Sequence, residues 1–250
     1  MRLFIQLSYD GHSFCGWQSQ RNAPSVQAEV ERALSLVFGE PVSVVGAGRT
    51  DTGVNARHYI AHFDLGASPQ DGSVRLLHKI NAILPSAIAA EALYPVADDA
   101  HARFDAVSRT YRYYIHSGKD PFSRYSWRCP FPLDAEAMNR GAALLLGRHD
   151  FSSFEKTGGA NKTSLCTVTE AGWSAPDGSR LVFTITADRF LRNMVRAVVG
   201  TLLEVGRGRQ DPAWVGEVLA ARDRGMAGQS VVGEALFLEE IRYPYPLTTI

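Results

Sequence analysis

The chain has 250 residues, of which 45% are hydrophobic and 21% charged, and its formal net charge is zero. This length and apolar content suit one large domain or two packed ones, and no run of eighteen apolar residues predicts a membrane span. Cys15, Cys129 and Cys166 lack Cys-x-x-Cys spacing, which argues against structural zinc and against a disulfide framework. We therefore expect a cytoplasmic protein with reduced thiols.

Arginine dominates the basic residues, since it supplies 22 of the 26. Its guanidinium group forks onto phosphate and stacks on bases. A neutral total charge removes the simplest sign of a nucleic-acid binder, which is an excess of basic residues. It is compatible with a basic cleft that acidic outer surfaces balance, so RNA stays among the candidate ligands.

The first segments predict a strand, a loop and a helix. Met1–Tyr9 alternates apolar and polar residues, as a strand with one buried face would, and Val26–Phe38 has apolar residues at helical spacing. Between them, Ser13–Gln18 combines aromatic residues with a glycine. It is either an RNA-facing loop or an ordinary loop packed on Trp17, and composition favours the second interpretation.

A glycine-rich, charged segment, Val44–His58, comes next. Its glycines allow positive φ or the close approach of another backbone, so the loop can hold Asp51 in one place. Arg49, two residues earlier, can keep that carboxylate ionised and can also bind a phosphate. The pattern indicates an active-site loop. On spacing alone it is equally compatible with a helix that starts near Thr52 and is capped by Thr50 and Asp51.

The remainder of the first half predicts a helix between two strands. Tyr59–Leu65 and Ile88–Val96 have strand patterns, and the helical pattern Val74–Ile83 ends before a proline. His101 follows on a short turn. No second His or Cys lies at metal spacing from it, so we expect a structural histidine and no metal site.

A strongly aromatic strand, Val107–His116, opens the second half. Arg109, Tyr111 and Tyr113 share one of its faces by the strand period of two. Guanidinium and aromatic planes stack on unpaired bases, so this face could bind RNA. The alternative, which composition alone favours, is a strand of half-buried tyrosines whose hydroxyls reach the rim.

The rest of the chain repeats the succession of strands and helices. Its predicted elements are a helix over Leu133–Leu146, a hairpin of Thr163–Trp173 and Leu181–Asp188 around Ala175–Gly178, helices over Phe190–Val205 and Pro212–Ala220, and a last strand over Ala235–Ile241. Arg192 and Arg196 are expected one turn apart on the helix from Phe190. The elements predict an α+β protein of two α/β halves, residues 1–105 and 106–250, each with a mixed or antiparallel sheet and helices on one face.

The segment Gly48–Ala56, Gly-Arg-Thr-Asp-Thr-Gly-Val-Asn-Ala, followed by Ala61–Asp64, resembles the signature of the tRNA pseudouridine synthase A family. Further similar stretches occur in the family's order over nearly the whole chain: Tyr9–Gly11, Phe14–Gln18, Ala102–Ala106, Arg109–Tyr113, His149–Phe154 and Phe190–Arg196. The resemblance implies the pseudouridine synthase fold, with two halves closing around a central cleft. It also implies isomerisation of uridine to pseudouridine at positions 38, 39 and 40 in the anticodon stem-loop of tRNA, without a cofactor.

Taken residue by residue, the resemblance implies that Asp51 is catalytic and that Tyr111 packs on the target base. Arg196 matches the arginine that pairs with the aspartate, Arg49 the one that fills the space left by the flipped nucleotide, and Leu236 an apolar residue of the pocket. A homodimer is also implied, with each tRNA touching both subunits. A carboxylate held by an arginine can act as nucleophile or base without metal, because uracil is leaving group and acceptor in turn.

Three positions depart from the family's pattern. Asn55 stands where His is usual, Cys166 stands where Arg is common, and Val232–Leu236 replaces an approach to the last strand that contains proline and glycine. These departures leave the catalytic set intact and concern the outer wall of the pocket.

Two hypotheses from other classes remain. A non-catalytic RNA-binding protein would use the Tyr111 face as a stacking platform, but it leaves Asp51 unexplained, because a carboxylate facing RNA phosphates is unfavourable. A metal-dependent hydrolase would need a cluster of His, Cys, Asp and Glu, which the sequence pattern does not offer.

Overall fold

The computed structural model describes residues 1–68, 71–156, 158, 163–176 and 180–249. These residues form ten strands and five α-helices, which confirms the predicted α+β class. The chain divides into two compact units: the first comprises Met1–Val107 and Leu238–Ile250, and the second comprises Ser108–Phe237. Within the described ranges, every helix is too short or too polar to cross a membrane.

The first unit is built on an antiparallel sheet. Its elements are β1 (Arg2–Tyr9), α1 (Val26–Phe38), β2 (Val45–Gly46), β3 (Asn55–Asp64), α2 (Ser73–Ile83) and β4 (Ile88–Val96). The strands lie in the order β4, β1, β3, and the short β2 also pairs with β3. In the β1–β3 ladder Leu7 stands opposite Tyr59, and an irregularity follows before Tyr9. The ladder thereby brings the rings of Tyr9 and Tyr59 together, with centroids 5.6 Å apart.

Several predicted boundaries of the first unit are confirmed. The helix α1 spans the predicted residues, and the Ser25 side chain caps it by accepting a hydrogen bond from the backbone N–H of Ala28 at 3.3 Å. The strand β4 also has its predicted bounds. By contrast, β3 begins at Asn55 and not at Tyr59, so the last residues of the predicted loop belong to the sheet.

The segment Leu238–Ile250 belongs to the first unit, whereas the sequence pattern groups it with the second half. The first stretch of this unit ends at Val107, two residues beyond the expected boundary at 105. Hydrogen bonds account for the grouping, since Val107 N–H donates to the Arg242 carbonyl at 2.8 Å and Ile241 N–H donates to His58 Nδ1 at 3.1 Å. The assignment of a separate role to each half stays a prediction.

The second unit combines a mixed sheet with three helices. Its elements are β5 (Ser108–His116), β6 (Trp127–Arg128), α3 (Ala135–Ala143), β7 (Gly147–Asp150), β8 (Leu165–Ser174), β9 (Arg180–Ala187), α4 (Met194–Gly206) and α5 (Trp214–Ala221), while the strand β10 (Leu236–Arg242) starts in this unit and continues into the first. The strands β5, β9, β8 and β7 are antiparallel neighbours in that order, and β6 runs parallel to β5. The predicted hairpin of β8 and β9 is confirmed, although residues 177–179 of its turn lie outside the described residues.

The start of α4 differs from the prediction. Asn193 adopts a left-handed conformation with φ of 66°, and the helix begins only at Met194. The apolar residues from Phe190 continue the helical pattern, but this backbone conformation interrupts it. Arg192 therefore precedes the helix that carries Arg196, and the prediction that the two lie one turn apart on the same helix is wrong.

A buried histidine lies in the middle of β3. His62 is 4% exposed, its Nδ1 accepts a hydrogen bond from Ala102 N–H at 3.1 Å, and its ring lies against that of His101. Burial, followed by the charges of Arg2 and His101, lowers the pKa of His62 from 6.5 to about 4. Acceptance at Nδ1 requires an unprotonated nitrogen there, which agrees with a neutral ring.

This histidine predicts that the protein loses stability in mild acid. The pKa of His62 is lower in the folded chain than in the unfolded chain. The contribution of the neutral ring to stability is therefore complete above pH 6.5 and is progressively lost as the pH falls towards about 4. We expect the free energy of unfolding in urea to fall between pH 7 and pH 5 by on the order of 1–2 kcal/mol from this group.

The variant His62→Gln, which keeps an acceptor without a titrating group, should flatten this decrease. The control variant His78→Gln, which changes an exposed histidine, should keep the decrease. An unchanged slope in His62→Gln would mean that His62 does not cause the acid sensitivity.

Candidate active site

The loop that carries Asp51, residues 46–54, is fixed at both ends by β3. At its start, Ala47 N–H donates to the Ile60 carbonyl at 2.9 Å. At its end, Val54 N–H donates to the Asp51 carbonyl at 3.1 Å, and Gly53 has φ of 77°. The chain then enters β3 directly.

No helix follows Asp51, and the alternative in which Thr50 and Asp51 cap one near Thr52 is wrong. The left-handed backbone of Gly53 ends any helical run at that point. Of the two interpretations of the sequence, the one with a tight loop that holds Asp51 agrees with the structure.

A second loop, residues 10–18, packs against the Asp51 loop. Trp17 N–H donates to the Thr50 carbonyl at 3.3 Å, and Gly53 N–H donates to the Phe14 carbonyl at 3.4 Å. Trp17 is only 2% exposed. The second loop is thus the ordinary, Trp17-packed loop that composition favoured, and the Trp17 ring is not an RNA-facing surface.

Three buried aromatic rings, those of Tyr9, Trp17 and Tyr59, support the Asp51 loop, and we call them the aromatic floor. The Trp17 and Tyr59 rings stack with centroids 4.1 Å apart. The Tyr59 hydroxyl donates to the Gly48 carbonyl, and the Tyr9 hydroxyl shares a hydrogen bond of 2.9 Å with Thr50 Oγ1. The floor therefore reaches the chain on both sides of Arg49.

The two predicted site residues of the first unit lie close together in this supported loop. Arg49 is exposed, and its Nε donates to Gln18 Oε1 at 3.0 Å. Asp51 is half-buried. A guanidinium and a carboxylate are thus presented two residues apart on a rigid backbone, an arrangement that suits recognition of a phosphate beside a reacting base.

Asn55 ties the two loops together, a role that sequence reasoning did not assign to it. Its side chain is 1% exposed, and its Oδ1 accepts a hydrogen bond from Gly11 N–H at 2.9 Å. The residue that departs from the family's usual His is therefore a buried structural acceptor. The only signal in the sequence was the departure itself.

The second unit contains the other predicted site residues. Tyr111 is half-buried on β5, and its ring meets Phe190 edge-on, with centroids 5.1 Å apart. Tyr113, on the same face, is completely buried and burial raises its pKa. Its hydroxyl has no hydrogen-bond partner among the described residues. The predicted stacking face is therefore incomplete, because Tyr111 is partly exposed whereas Tyr113 is buried.

Arg196 is held on α4 by a specific hydrogen bond. Its side chain is half-buried, and its Nε donates to the Val231 carbonyl at 2.7 Å, which fixes the guanidinium plane. Arg192, before the helix, is exposed. Leu236 is buried at the start of β10, where its N–H donates to the Gly233 carbonyl at 2.9 Å.

The three cysteine thiols are unpaired. Cys166 is 1% exposed, and burial raises its pKa to about 12, so it is neutral at physiological pH. Throughout the described part of the chain, no three His, Cys, Asp or Glu side chains are grouped so that they could hold a metal ion.

The chain is similar over its length to known proteins of one family. A family model described as tRNA pseudouridine synthase matches residues 142–244. The tRNA pseudouridine synthase A of Parabacteroides distasonis is 50% identical over 247 residues, which cover 98% of this chain and 97% of the relative. That of Porphyromonas gingivalis is 47% identical over 98% of both chains, and that of Colwellia psychrerythraea is 40% identical over 98% of this chain and 94% of the relative. The chain belongs to the tRNA pseudouridine synthase A family.

The Asn55 contact predicts that Asn55→Ala destabilises the fold. The change would leave the Gly11 N–H buried without its acceptor, which costs about 1–3 kcal/mol. Urea unfolding at pH 7 measures this loss. Asn81→Ala is a matched control, because it also removes a side-chain amide that is hydrogen-bonded to the backbone. Asn81 bonds both the N–H and the carbonyl of Ala90 on β4, away from the Asp51 loop.

Both variants should lose stability, but only Asn55→Ala should also increase protease cleavage within residues 10–18 and 46–54. Equal protection of these loops in the two variants would contradict the role assigned to Asn55.

Proposed function

We propose that this chain isomerises uridine to pseudouridine at positions 38, 39 and 40 in the anticodon stem-loop of tRNA, with Asp51 as the catalytic residue and no cofactor. The observation that carries the proposal is membership in the tRNA pseudouridine synthase A family over nearly the full chain. It is supported by the rigid setting of Asp51, which lies half-buried in a loop bonded to β3 and to the loop of residues 10–18.

The chemistry balances without an added reactant. The bond between uracil N1 and ribose C1′ breaks, the base turns, and a bond between C5 and C1′ forms. The hydrogen on C5 leaves as a proton and N1 gains one, so no atom or electron is supplied from outside. One carboxylate suffices in principle, because it can attack carbon as a nucleophile or take a proton from the ribose as a base.

Four further residues have proposed roles that follow the family resemblance. Tyr111 would pack on the target base, and its half-buried, Phe190-supported ring suits this role. Arg49 would fill the space of the flipped nucleotide, and its exposed position on the Asp51 loop supports this. Arg196 would pair with the Asp51 carboxylate, and Leu236 would supply an apolar wall.

The chain is also proposed to act as a homodimer in the cytoplasm. The dimer follows from the family resemblance, and the location is in keeping with a tRNA substrate and with three unpaired thiols. Light scattering of the purified chain, alone and with tRNA, tests the dimer.

The first test removes the Asp51 charge. Asp51→Asn keeps the side-chain shape but loses both nucleophilicity and basicity, so pseudouridine formation should fall by about 10³-fold or more while tRNA affinity changes little. Unmodified tRNA labelled with tritium at uracil C5 would report the reaction, because the isomerisation releases that hydrogen.

The exposed carboxylate Asp99 provides the control, as Asp99→Asn should keep the wild-type rate. If Asp51→Asn released tritium at the wild-type rate, Asp51 would have no part in the mechanism.

The second test compares two arginines. Arg196→Met keeps the aliphatic stem but deletes the charge, so it should slow single turnover by about 10- to 100-fold, equivalent to the ~1.5–3 kcal/mol of a hydrogen bond to a charged group. The affinity for tRNA should stay within a few-fold. Arg192→Met removes an exposed charge and should instead weaken tRNA binding, most strongly at low salt.

Single-turnover rates and dissociation constants for both variants would separate the two roles. A rate of chemistry that survives in Arg196→Met, together with weakened binding, would refute the proposed pairing of Arg196 with Asp51.

A further inference from the structure

The Asp51 loop is held from its buried side by two tyrosine hydroxyls. The Tyr59 hydroxyl bonds the Gly48 carbonyl, which precedes Arg49, and the Tyr9 hydroxyl bonds the side chain of Thr50, which follows it. Tyr59 is fully buried and Tyr9 is 5% exposed, so neither is placed to touch a bound nucleotide. Their polar atoms are directed at the loop.

We propose that the hydroxyls of Tyr9 and Tyr59 are positioning groups for the isomerisation, because they fix the backbone that carries the Asp51 carboxylate. This inference rests on the proposed function. Two backbone carbonyls of the loop, those of Thr50 and Asp51, also accept hydrogen bonds, from the N–H groups of Trp17 and Val54. With these two hydroxyls, each residue from Gly48 to Asp51 makes a hydrogen bond, and that of the exposed Arg49 runs from its side chain to Gln18.

The geometry separates the hydroxyls from the rings that carry them. Trp17 stacks on Tyr59 at 4.1 Å, and Tyr9 packs edge-on against Tyr59 at 5.6 Å. Replacing either tyrosine by phenylalanine keeps the ring and deletes the hydroxyl that bonds the loop. The Asp51 loop would then keep its place on the aromatic floor but lose one of its fixed points.

Such a loss should affect chemistry more than binding. Affinity for tRNA is spread over many phosphate contacts, whereas the reaction needs one carboxylate within a fraction of an ångström of its target. A displacement of about 1 Å can cost 10²-fold in rate, so we expect single turnover to fall by about 10- to 100-fold in Tyr59→Phe and in Tyr9→Phe. The tRNA dissociation constant should stay within about twofold of wild type, because the phosphate contacts are untouched.

The experiment measures tritium release from tRNA labelled at uracil C5, with enzyme in excess, and tRNA affinity by filter binding. Tyr94→Phe is the matched control: Tyr94 is half-buried on β4, and its hydroxyl donates to Gln6 Oε1 at 2.6 Å. The Tyr94→Phe variant loses a comparable hydrogen bond and should keep the wild-type rate of single turnover. All assays are run well below the melting temperature of each variant, so that every chain is folded.

A double-mutant cycle tests the Tyr9–Thr50 pair without relying on one variant. Thr50→Val deletes the partner hydroxyl, and if the two act through one hydrogen bond, Tyr9→Phe combined with Thr50→Val should be about as slow as either alone. The combined loss would then equal that of one variant, about 10- to 100-fold, and not the product of two losses, about 10²- to 10⁴-fold, that independent effects would give.

The outcomes are distinguishable. Suppose that the wild type releases tritium and that the rates of Tyr9→Phe and Tyr59→Phe either equal the wild-type rate or fall no further than the rate of Tyr94→Phe. The inference is then overturned and the proposed function stands. Multiplicative losses in the double-mutant cycle would overturn the Tyr9–Thr50 part. A wild-type chain that binds tRNA but releases no tritium would overturn the proposed function itself, and with it this inference.

Discussion

The candidate site depends on the close approach of one glycine to two aromatic side chains. A Cβ on Gly46 would lie 2.1 Å from the Tyr59 hydroxyl oxygen and 2.6 Å from Trp17 Nε1, so a larger residue could not occupy this position without moving the aromatic floor. The absence of a side chain lets the loop start directly against the stacked rings. Because the rings are buried, their packing is stabilised by the hydrophobic effect and by ring stacking. The packed rings in turn hold the loop in place. The backbone that carries the half-buried Asp51 is thus supported by aromatic side chains that carry no charge.

The elements with strong local signals were predictable. The helix α1 has its cap, its apolar period and its stop within one short segment, and β4 is a largely apolar segment that soon follows Pro85, so both were found with their bounds. The strands β2 and β6 have two residues each, too few for any period to show. The start of α4 was missed because Asn193 takes a backbone conformation that its apolar neighbours do not announce. The place of residues 238–249 depends on hydrogen bonds to distant strands, about which local patterns carry no information.

The chemistry of the site was more visible in the sequence than its support. Asp51 and Arg49 stood out because charged residues between glycines are unusual, and the family signature lies on the same segment. The supporting contacts join residues far apart in the chain, such as Tyr9 to Thr50, 41 residues away, and Gly11 to Asn55, 44 residues away. Residue type alone could not distinguish a tyrosine face on β5 that is open to RNA from one in which Tyr113 is buried. That distinction depends on residues far away in the chain, such as those of β9, which pairs with β5.

The return of Leu238–Ile250 to the first unit makes that unit discontinuous, with the whole of the second unit inserted between its parts. During synthesis, Ser108–Phe237 is complete while the first unit still lacks the residues that bond His58 and Val107. The second unit can therefore close on the ribosome first, and the first unit becomes complete only after the segment beyond it has emerged. A nascent chain that stalls before Leu238 would carry the Asp51 loop on an unfinished sheet. Such a chain would expose apolar strand surface to chaperones at the moment when it already presents the residues expected to contact tRNA.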